Sequence, residues 1–201
     1  DLTDVATILL HHSDPDCADA IHRLGDVLHH EVEIVTEWRS ELLLRHLKPR
    51  FPVTTVEDLG WRLELEPERV LQFLLTPYLH FPGAFVTFDP STRSLLTADL
   101  FGGFNTARRL WATGVGDFED LRAFHEHYMP SREILMSGLA TIRSHFPDPD
   151  VVLPQHGYLI PRPLIDGMFD ALFRLDCGVM LMSRSDTHLA RLIDAAAVVR
   201  R

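Results

Sequence analysis

Three side chains able to bind a metal ion occur at alternate positions near the start of the chain: His12, Asp14 and Asp16. Imidazole nitrogens and carboxylate oxygens together suit iron, zinc or manganese. Alternate side chains of an extended loop converge on one point only where the backbone bends, and Pro15 is consistent with such a bend. The same residues would also suit a polar turn in which Asp16 caps a helix. The motif alone therefore leaves both interpretations open.

Three further candidates stand near the ends of strand-like runs. His80 ends one run, Asp99 follows residues 95–98 and precedes a Gly-Gly turn, and His156 follows residues 151–153. A buried carboxylate needs a cation, hydrogen-bond donors or water, because an unpaired buried charge is costly. Each residue taken singly is also compatible with an ordinary loop. Because ligands bind where the strands of α/β sheets end, the whole set predicts a site for two cations with one carboxylate between them.

The elements that must position these residues alternate between short strands and helices. Apolar periodicity and turn residues predict strands at residues 6–10, 32–35, 53–56, 61–65, 70–75, 84–88, 94–98 and 151–153. The same criteria predict helices at residues 17–29, 40–47, 117–127, 130–145, 164–175 and 186–201. The turn sequence at residues 89–92 favours an antiparallel hairpin between its two flanking strands.

Length, composition and charge indicate which classes of protein the chain can belong to. A chain of 201 residues, with 46% apolar and 24% charged residues, is typical of one globular domain. A net charge of −10 disfavours nucleic acid as a partner. No stretch resembles a membrane span or a secretion signal, and the widely separated Cys17 and Cys177 suggest thiols in a reducing compartment. We therefore expect a cytoplasmic protein without a membrane partner.

Four ordered motifs resemble those of the metallo-β-lactamase fold superfamily: His-x-Asp-x-Asp at 12–16, Leu-His-Phe-Pro-Gly at 79–83, Ala-Asp-Leu-Phe-Gly-Gly at 98–103 and Pro-Gln-His-Gly at 154–157. Within it, the chain resembles the di-iron branch, which comprises flavodiiron proteins and oxygen-binding di-iron sensor domains. Residues 124–131 are similar to that branch as well. The resemblance implies an α/β, metallo-β-lactamase-like αββα sandwich. Several strands usually precede the first motif in that fold, so we expect a fragment whose N-terminal strands are missing.

The resemblance also implies metal ligands and a choice of metal. His12, Asp14 and His80 would bind the first iron, Asp16 and His156 the second, and Asp99 would bridge the two. His125, His127 and Tyr128 are candidates for outer contacts, such as a hydrogen bond to bound oxygen. Superfamily hydrolases usually carry histidine at the positions of Asp14 and Cys17. A carboxylate in place of an imidazole favours iron, which leaves zinc or manganese as the alternative metals.

The expected di-iron site and the motifs that the chain lacks together indicate a function. The chain shows no phosphate-binding loop and no room for a flavodoxin-like domain, which favours O2 binding over turnover. We expect an oxygen sensor, with Phe81, Phe101 and Phe104 as apolar walls and its signal relayed to an output partner or domain. Residues 1–182 would form the di-iron domain, and residues 183–201 a helix that begins a signalling linker. A flavodiiron-type O2 or NO reductase and a dinuclear metallohydrolase are the alternatives, and a homodimer is left open.

Overall fold

Two β-sheets lie face to face, with helices packed on the outer side of each, in the computed structural model of this chain. The structure describes residues 2–28 and 31–182. This arrangement confirms the mixed α/β class and the αββα sandwich that the resemblance implied. Within the described part of the chain, no helix is long and apolar enough to cross a membrane.

The first sheet is parallel, with strand order β1-β2-β3. Its elements alternate along the chain: β1 (Thr7–Leu10), α1 (Pro15–Val27), β2 (Glu33–Thr36), α2 (Trp38–Leu47) and β3 (Val53–Thr55). Parallel neighbours need a crossover connection, which the two helices supply. Ile21 of α1 and Leu44 of α2 are buried against Leu10 and Ile34 of the strands, so the helices cover the outer face of this sheet.

The second sheet has six strands in sequential order, and its neighbours are antiparallel except for the β7–β8 pair. The strands are β4 (Arg62–Glu66), β5 (Arg69–Leu75), β6 (Phe85–Asp89), β7 (Ser94–Ala98), β8 (Val151–Pro154) and β9 (Ile160–Pro161). The remaining helices are α3 (Phe118–Tyr128), α4 (Arg132–His145), α5 (Arg162–Phe173) and α6 (Val179–Met182). Leu121, Leu139 and Met168 of these helices pack on Leu95 and Val152 of the sheet.

All eight predicted strands are present, with small shifts at their ends. The predicted start of α1 was wrong by two residues: the helix begins at Pro15, and Asp14, not Asp16, occupies the N-cap position. Proline suits the first position of a helix, because its missing N–H has no partner there in any case. Strand β9 and helix α6 were not predicted, and the helix predicted at residues 186–201 lies outside the described residues.

The two sheets meet in an apolar layer formed by Val35, Val56, Leu71, Phe73 and Phe85. His11 crosses this layer, since its Nε2 lies 2.8 Å from Thr87 Oγ1 and its ring centroid 4.8 Å from that of Phe85. Burial, with a smaller contribution from His12, lowers the pKa of His11 to about 4. His11 is therefore a neutral side chain that joins the sheets and points away from its neighbour His12.

Asp89 anchors the hairpin that leads into the candidate site. Its side chain is 3% exposed; Oδ2 lies 2.8 Å from Arg69 Nη2, and Oδ1 accepts hydrogen bonds from the backbone N–H and hydroxyl of Ser91. Burial opposes ionisation, but the hydrogen bonds from Ser91 and Arg69 outweigh it and lower the pKa of Asp89 to about 2. The ionised carboxylate thus stabilises the fold.

Replacing Asp89 with Asn should lower the free energy of unfolding by about 1–2 kcal/mol at pH 7. Because the folded-state pKa lies below the usual value of about 4, this contribution is complete above pH 4 and declines as pH falls towards 2. Urea unfolding should therefore show a difference from the parent chain that begins to narrow below pH 4. Asp19→Asn, on the exposed face of α1, is the control and should change stability by less than about 0.5 kcal/mol. Equal stability of Asp89→Asn and the parent at pH 7 would contradict this account.

Candidate metal centre

Asp99 lies at the centre of the cluster of candidate ligands, just beyond the end of β7. The residue is 5% exposed. Its Oδ2 atom is 2.7 Å from His80 Nε2 and 3.3 Å from His12 Nε2, and its Oδ1 atom is 3.5 Å from His156 Nε2. Three imidazoles from three separate loops therefore face the two oxygens of one buried carboxylate.

Asp14 completes the group on the Oδ2 side of Asp99. Its carboxylate lies 3.4 Å from His80 Nε2 and 3.9 Å from His12 Nε2. One ligand atom from each of these four residues lies within 4.8 Å of the others, a spacing that one metal ion can bridge. Asp14 stands at the N-cap of α1 but makes no side-chain capping hydrogen bond, which leaves its carboxylate available for this purpose.

His156 lies on the other side of the shared carboxylate, after β8. Its Nδ1 is 3.0 Å from the carbonyl oxygen of Gly103, so Nδ1–H donates to that carbonyl and Nε2 faces Asp99. Metal-binding histidines are commonly oriented in this way by a backbone carbonyl. Gly102 makes the approach possible, because a Cβ atom there would lie 2.8 Å from His156 Cε1 and 2.7 Å from the carbonyl oxygen of Asp99.

Asp16, in the first turn of α1, belongs to a second group with His12 and Cys17, whose ligand atoms also lie within 4.8 Å of one another. The side-chain N–H of Gln155 donates to Asp16 Oδ2 at 3.1 Å. Since Gln155 immediately precedes His156, this contact joins the start of α1 to the loop after β8. The structure thus gathers all six predicted ligands around one edge of the sandwich, and their role as ligands stays a prediction.

The loops that carry Asp99 and His156 are tied together away from the cluster. Asp120 of α3 accepts hydrogen bonds from the backbone N–H of Thr106 at 2.8 Å and the hydroxyl of Tyr158 at 2.5 Å. The side chain of Asn105 donates to the carbonyl oxygen of Gly157 at 3.1 Å. These contacts fix the distance between the two loops independently of any metal.

The charges of the cluster favour cations. Burial raises the pKa of Asp99, but its contacts with His12, His156 and His80 outweigh burial and hold that pKa well below the usual range. Burial lowers the pKa of His12, whereas hydrogen bonds to Asp99 and Cys17 bring it to about 10. The contact with Asp99 also raises the pKa of His156. In this arrangement, protons on imidazoles supply the positive charge that Asp99 requires.

The donor set fits metal binding. Oδ1 of Asp99 is buried and makes no hydrogen bond, so the described residues leave it unsatisfied apart from the ionic contact with His156. Two imidazoles crowd the other oxygen of the same carboxylate, an arrangement that suits ligands of one cation better than hydrogen-bond donors to one acceptor. Mixed imidazole and carboxylate donors suit iron.

Phe124 of α3 forms an aromatic roof over the cluster together with Phe104 and Tyr128. Its ring centroid lies 4.7 Å from that of His156 and 6.4 Å from that of His80, and it stacks on Tyr128 at 4.4 Å. Phe104 meets Phe124 edge-on at 6.1 Å. The role of Phe124 has no signal in the sequence, because an aromatic residue at helical spacing is usually a core residue.

One of the expected wall residues lies elsewhere. Phe101 is fully buried in the core, with its ring centroid 4.7 Å from that of Phe169, so its predicted position in the wall was wrong. Phe81 is partly exposed and precedes the glycine turn of its loop. Of the predicted walls, Phe104 is the one that belongs to the roof.

The three residues predicted to make outer contacts differ in their surroundings. Nε2 of His125 accepts from the backbone N–H of Phe101 at 3.1 Å, and its Nδ1 donates to the carbonyl oxygen of Leu121 at 2.8 Å. Both nitrogens are thus engaged by backbone, and burial lowers the pKa of His125 to about 4. Tyr128 is half-exposed, with its ring centroid 5.3 Å from that of His80. The roles of His127 and Tyr128 at a metal-bound ligand stay predictions.

A two-sheet sandwich with this cluster at its edge defines a metallo-β-lactamase-like protein of the di-iron branch. The family model described as "ODP family beta lactamase" matches residues 1–157, and the chain therefore belongs to that family.

Related proteins fall into two groups. Among curated proteins, type A flavoprotein fprA of Rhodobacter capsulatus is 34% identical over 98 residues, which cover 46% of this chain and 21% of that protein. The flavo-diiron protein FprA2 of Clostridium acetobutylicum is 21% identical over 169 residues, which cover 81% of this chain and 41% of that protein. Among solved structures, the peroxy diiron species of chemotaxis sensor ODP aligns with a TM-score of 0.78 at 20% identity, covering 90% of this chain and 76% of that one. The chain thus spans less than half the length of these two curated relatives.

Replacing Gly102 with Ala should displace the His156 ring, because the added methyl would overlap Cε1 and cannot move away from the Asp99 carbonyl. We expect the variant to fold but to lose at least half of the metal bound by the parent chain, as measured by elemental analysis after reconstitution with Fe(II). Gly116→Ala is the matched control, since a Cβ atom there meets nothing within 4 Å. Full metal content in Gly102→Ala would show that His156 is not held as described.

Proposed function

We propose that this domain binds O2 reversibly at a pair of iron ions and relays the change at the irons to a partner or an attached output domain. The observation that carries the proposal is the buried Asp99 carboxylate, which faces three imidazoles under an aromatic roof. A buried anion that gathers imidazoles and further carboxylates is suited to holding multivalent cations. The proposed domain comprises residues 1–182, and residues 183–201 with their predicted signalling helix lie outside the described residues.

The proposed ligands divide between the two oxygens of Asp99. His12, Asp14 and His80 would hold the first iron, Asp16 and His156 the second, and Asp99 would be shared between them. The 4.8 Å grouping of His12, Asp14, His80 and Asp99 supports the first site. The contact of 3.5 Å between His156 and Asp99 Oδ1 supports the second.

Each part of the site has a task in this proposal. An iron pair, when bound, would donate electrons to O2. The carboxylates of Asp14, Asp16 and Asp99 offset the charge of the two cations. The rings of Phe124 and Phe104 form an apolar cover that excludes water and admits a small apolar molecule such as O2. Tyr128 lies beside His80 at the edge of this cover, where its hydroxyl could donate a hydrogen bond to a bound ligand.

A reductase of O2 or NO is the second candidate function. The curated relatives named above are flavoproteins, and one of them is named a flavo-diiron protein. In a reductase the same cluster would turn over repeatedly, and a flavoprotein would have to supply the electrons. The aromatic roof serves both functions, so the supply of electrons is what separates them.

Metal content and reversible spectra distinguish the candidates. We expect about two iron ions per chain after anaerobic reconstitution, and a visible absorption band that appears with O2 and disappears under vacuum. Steady consumption of O2 or NO with NADH and a flavoprotein donor would instead support the reductase. A chain that retains zinc or manganese in competition with iron, and that hydrolyses a lactam or thioester, would overturn the proposal.

Asp99→Asn should reduce bound iron from about two ions to less than one and abolish the O2-dependent band. The amide keeps the shape of the side chain but loses the negative charge and one acceptor oxygen, which both irons need. Asp89→Asn is the matched control, because it removes another buried carboxylate of the same sheet at a distance from the cluster. The control should lose stability yet retain its iron. Two iron ions in Asp99→Asn would exclude Asp99 as the bridging ligand.

A further inference from the structure

Cys17 lies in the second group of candidate ligands, yet the proposed function assigns it no role. Its Sγ atom is 3.8 Å from both ring nitrogens of His12, and one ligand atom each of His12, Asp16 and Cys17 lies within 4.8 Å of the others. Sulfur, nitrogen and carboxylate oxygen thus meet on the Asp16 side of the centre. The side chain of Cys17 is partly exposed, so a metal ion in solution can reach it.

Gln155 holds the thiol and the carboxylate of this group together. Its Oε1 accepts from the Cys17 thiol at 2.8 Å, while its side-chain N–H donates to Asp16 Oδ2 at 3.1 Å. One amide therefore fixes two side chains that belong to consecutive residues of α1. The same residue precedes His156, which brings the thiol into the neighbourhood of the second proposed site.

A separate observation indicates that this side of the centre offers fewer ligands than the other. Asp99 Oδ1, which faces His156, is buried and makes no hydrogen bond, whereas Oδ2 is contacted by two imidazoles. With Asp16 and His156 alone, the second site would offer only two ligands besides the shared carboxylate. The first site would offer three, so the second has room for one more.

We propose that Cys17 is a thiolate ligand of the second metal ion. On binding, the thiol loses its proton to solvent and a metal–sulfur bond forms, with no change in oxidation state. The inference rests on the proposed function, because it assumes that a second metal binds beside Asp16. It makes the two sites unequal: the first offers only nitrogen and oxygen, whereas the second adds a soft sulfur ligand and is the more tolerant of zinc or cobalt.

Cobalt titration of the metal-free chain provides the test. Co(II) bound to thiolate gives a strong sulfur-to-metal charge-transfer absorption in the near ultraviolet, which nitrogen and oxygen ligands do not give. In the parent chain, we expect this absorption to appear as one of the two Co(II) ions binds and to reach full intensity by two equivalents. Cys17→Ser should abolish the absorption and weaken binding of the second ion by at least about tenfold, since a hydroxyl is a poor metal ligand.

Two matched variants control the result. Cys177→Ala removes the other cysteine, which is buried in the core, and should leave the cobalt absorption unchanged. Cys17→Ala removes the hydrogen bond to Gln155 as well as the thiol, whereas Cys17→Ser keeps a donor for Gln155. If the loss is due to coordination, both Cys17 variants should behave alike. If Cys17→Ser binds both Co(II) ions as tightly as the parent chain and only Cys17→Ala binds them more weakly, Cys17 has a hydrogen-bonding role. That result would overturn the inference.

Thiol reactivity gives a second measurement in the Cys177→Ala background. Two equivalents of Co(II) should slow the reaction of Cys17 with a chromogenic disulfide reagent by at least about tenfold, because a coordinated thiolate is shielded. If the chain binds two cobalt ions but shows neither the charge-transfer absorption nor a slower reaction of Cys17, the inference is overturned. The two-metal proposal would remain intact. A parent chain that binds no metal would overturn the proposed function itself.

Discussion

A carboxylate removed from water and faced by three imidazoles governs how the loops converge at one edge of this sandwich. Asp99 is 5% exposed, and a buried charge of this kind is costly unless cations or donors surround it. His12, His80 and His156 supply that environment from three different loops. The carboxylate is therefore a reason for those loops to converge, and the convergence creates a site for positive ions.

The αββα sandwich meets this requirement by bringing several strand ends to one edge. His12 follows β1 of the first sheet, whereas Asp99 and His156 follow the parallel pair β7 and β8 of the second. The apolar layer between the sheets and the crossing side chain of His11 hold the two sheets together. Phe124, from a helix on the outer face, then packs against His156 at this edge. The packing of the sheets and the placement of the candidate ligands thus depend on the same loops.

Much of this architecture could be predicted from the sequence, because strands bounded by turn residues and helices with apolar periodicity carry local signals. Strand β7 lies where its apolar run predicts, and the six candidate ligands could be named from their positions after such runs. The start of α1 was less certain, because Asp14 and Asp16 both suit a helix cap. The approach of Gly102 to His156, and the contact between Cys17 and Gln155, depend on loops far apart in the sequence and leave no local signal. The position of Phe124 in the roof could not be predicted, because a roof residue and a core residue share the same helical spacing.

Crystals of the iron-loaded chain, measured on both sides of the iron absorption edge, would locate the metal ions. We expect two anomalous peaks about 3.5–4 Å apart, with the Asp99 carboxylate between them. One peak would lie beside His12 and His80, and the other beside His156. A single peak, or two peaks that do not share Asp99, would show that Asp99 does not hold a pair of iron ions.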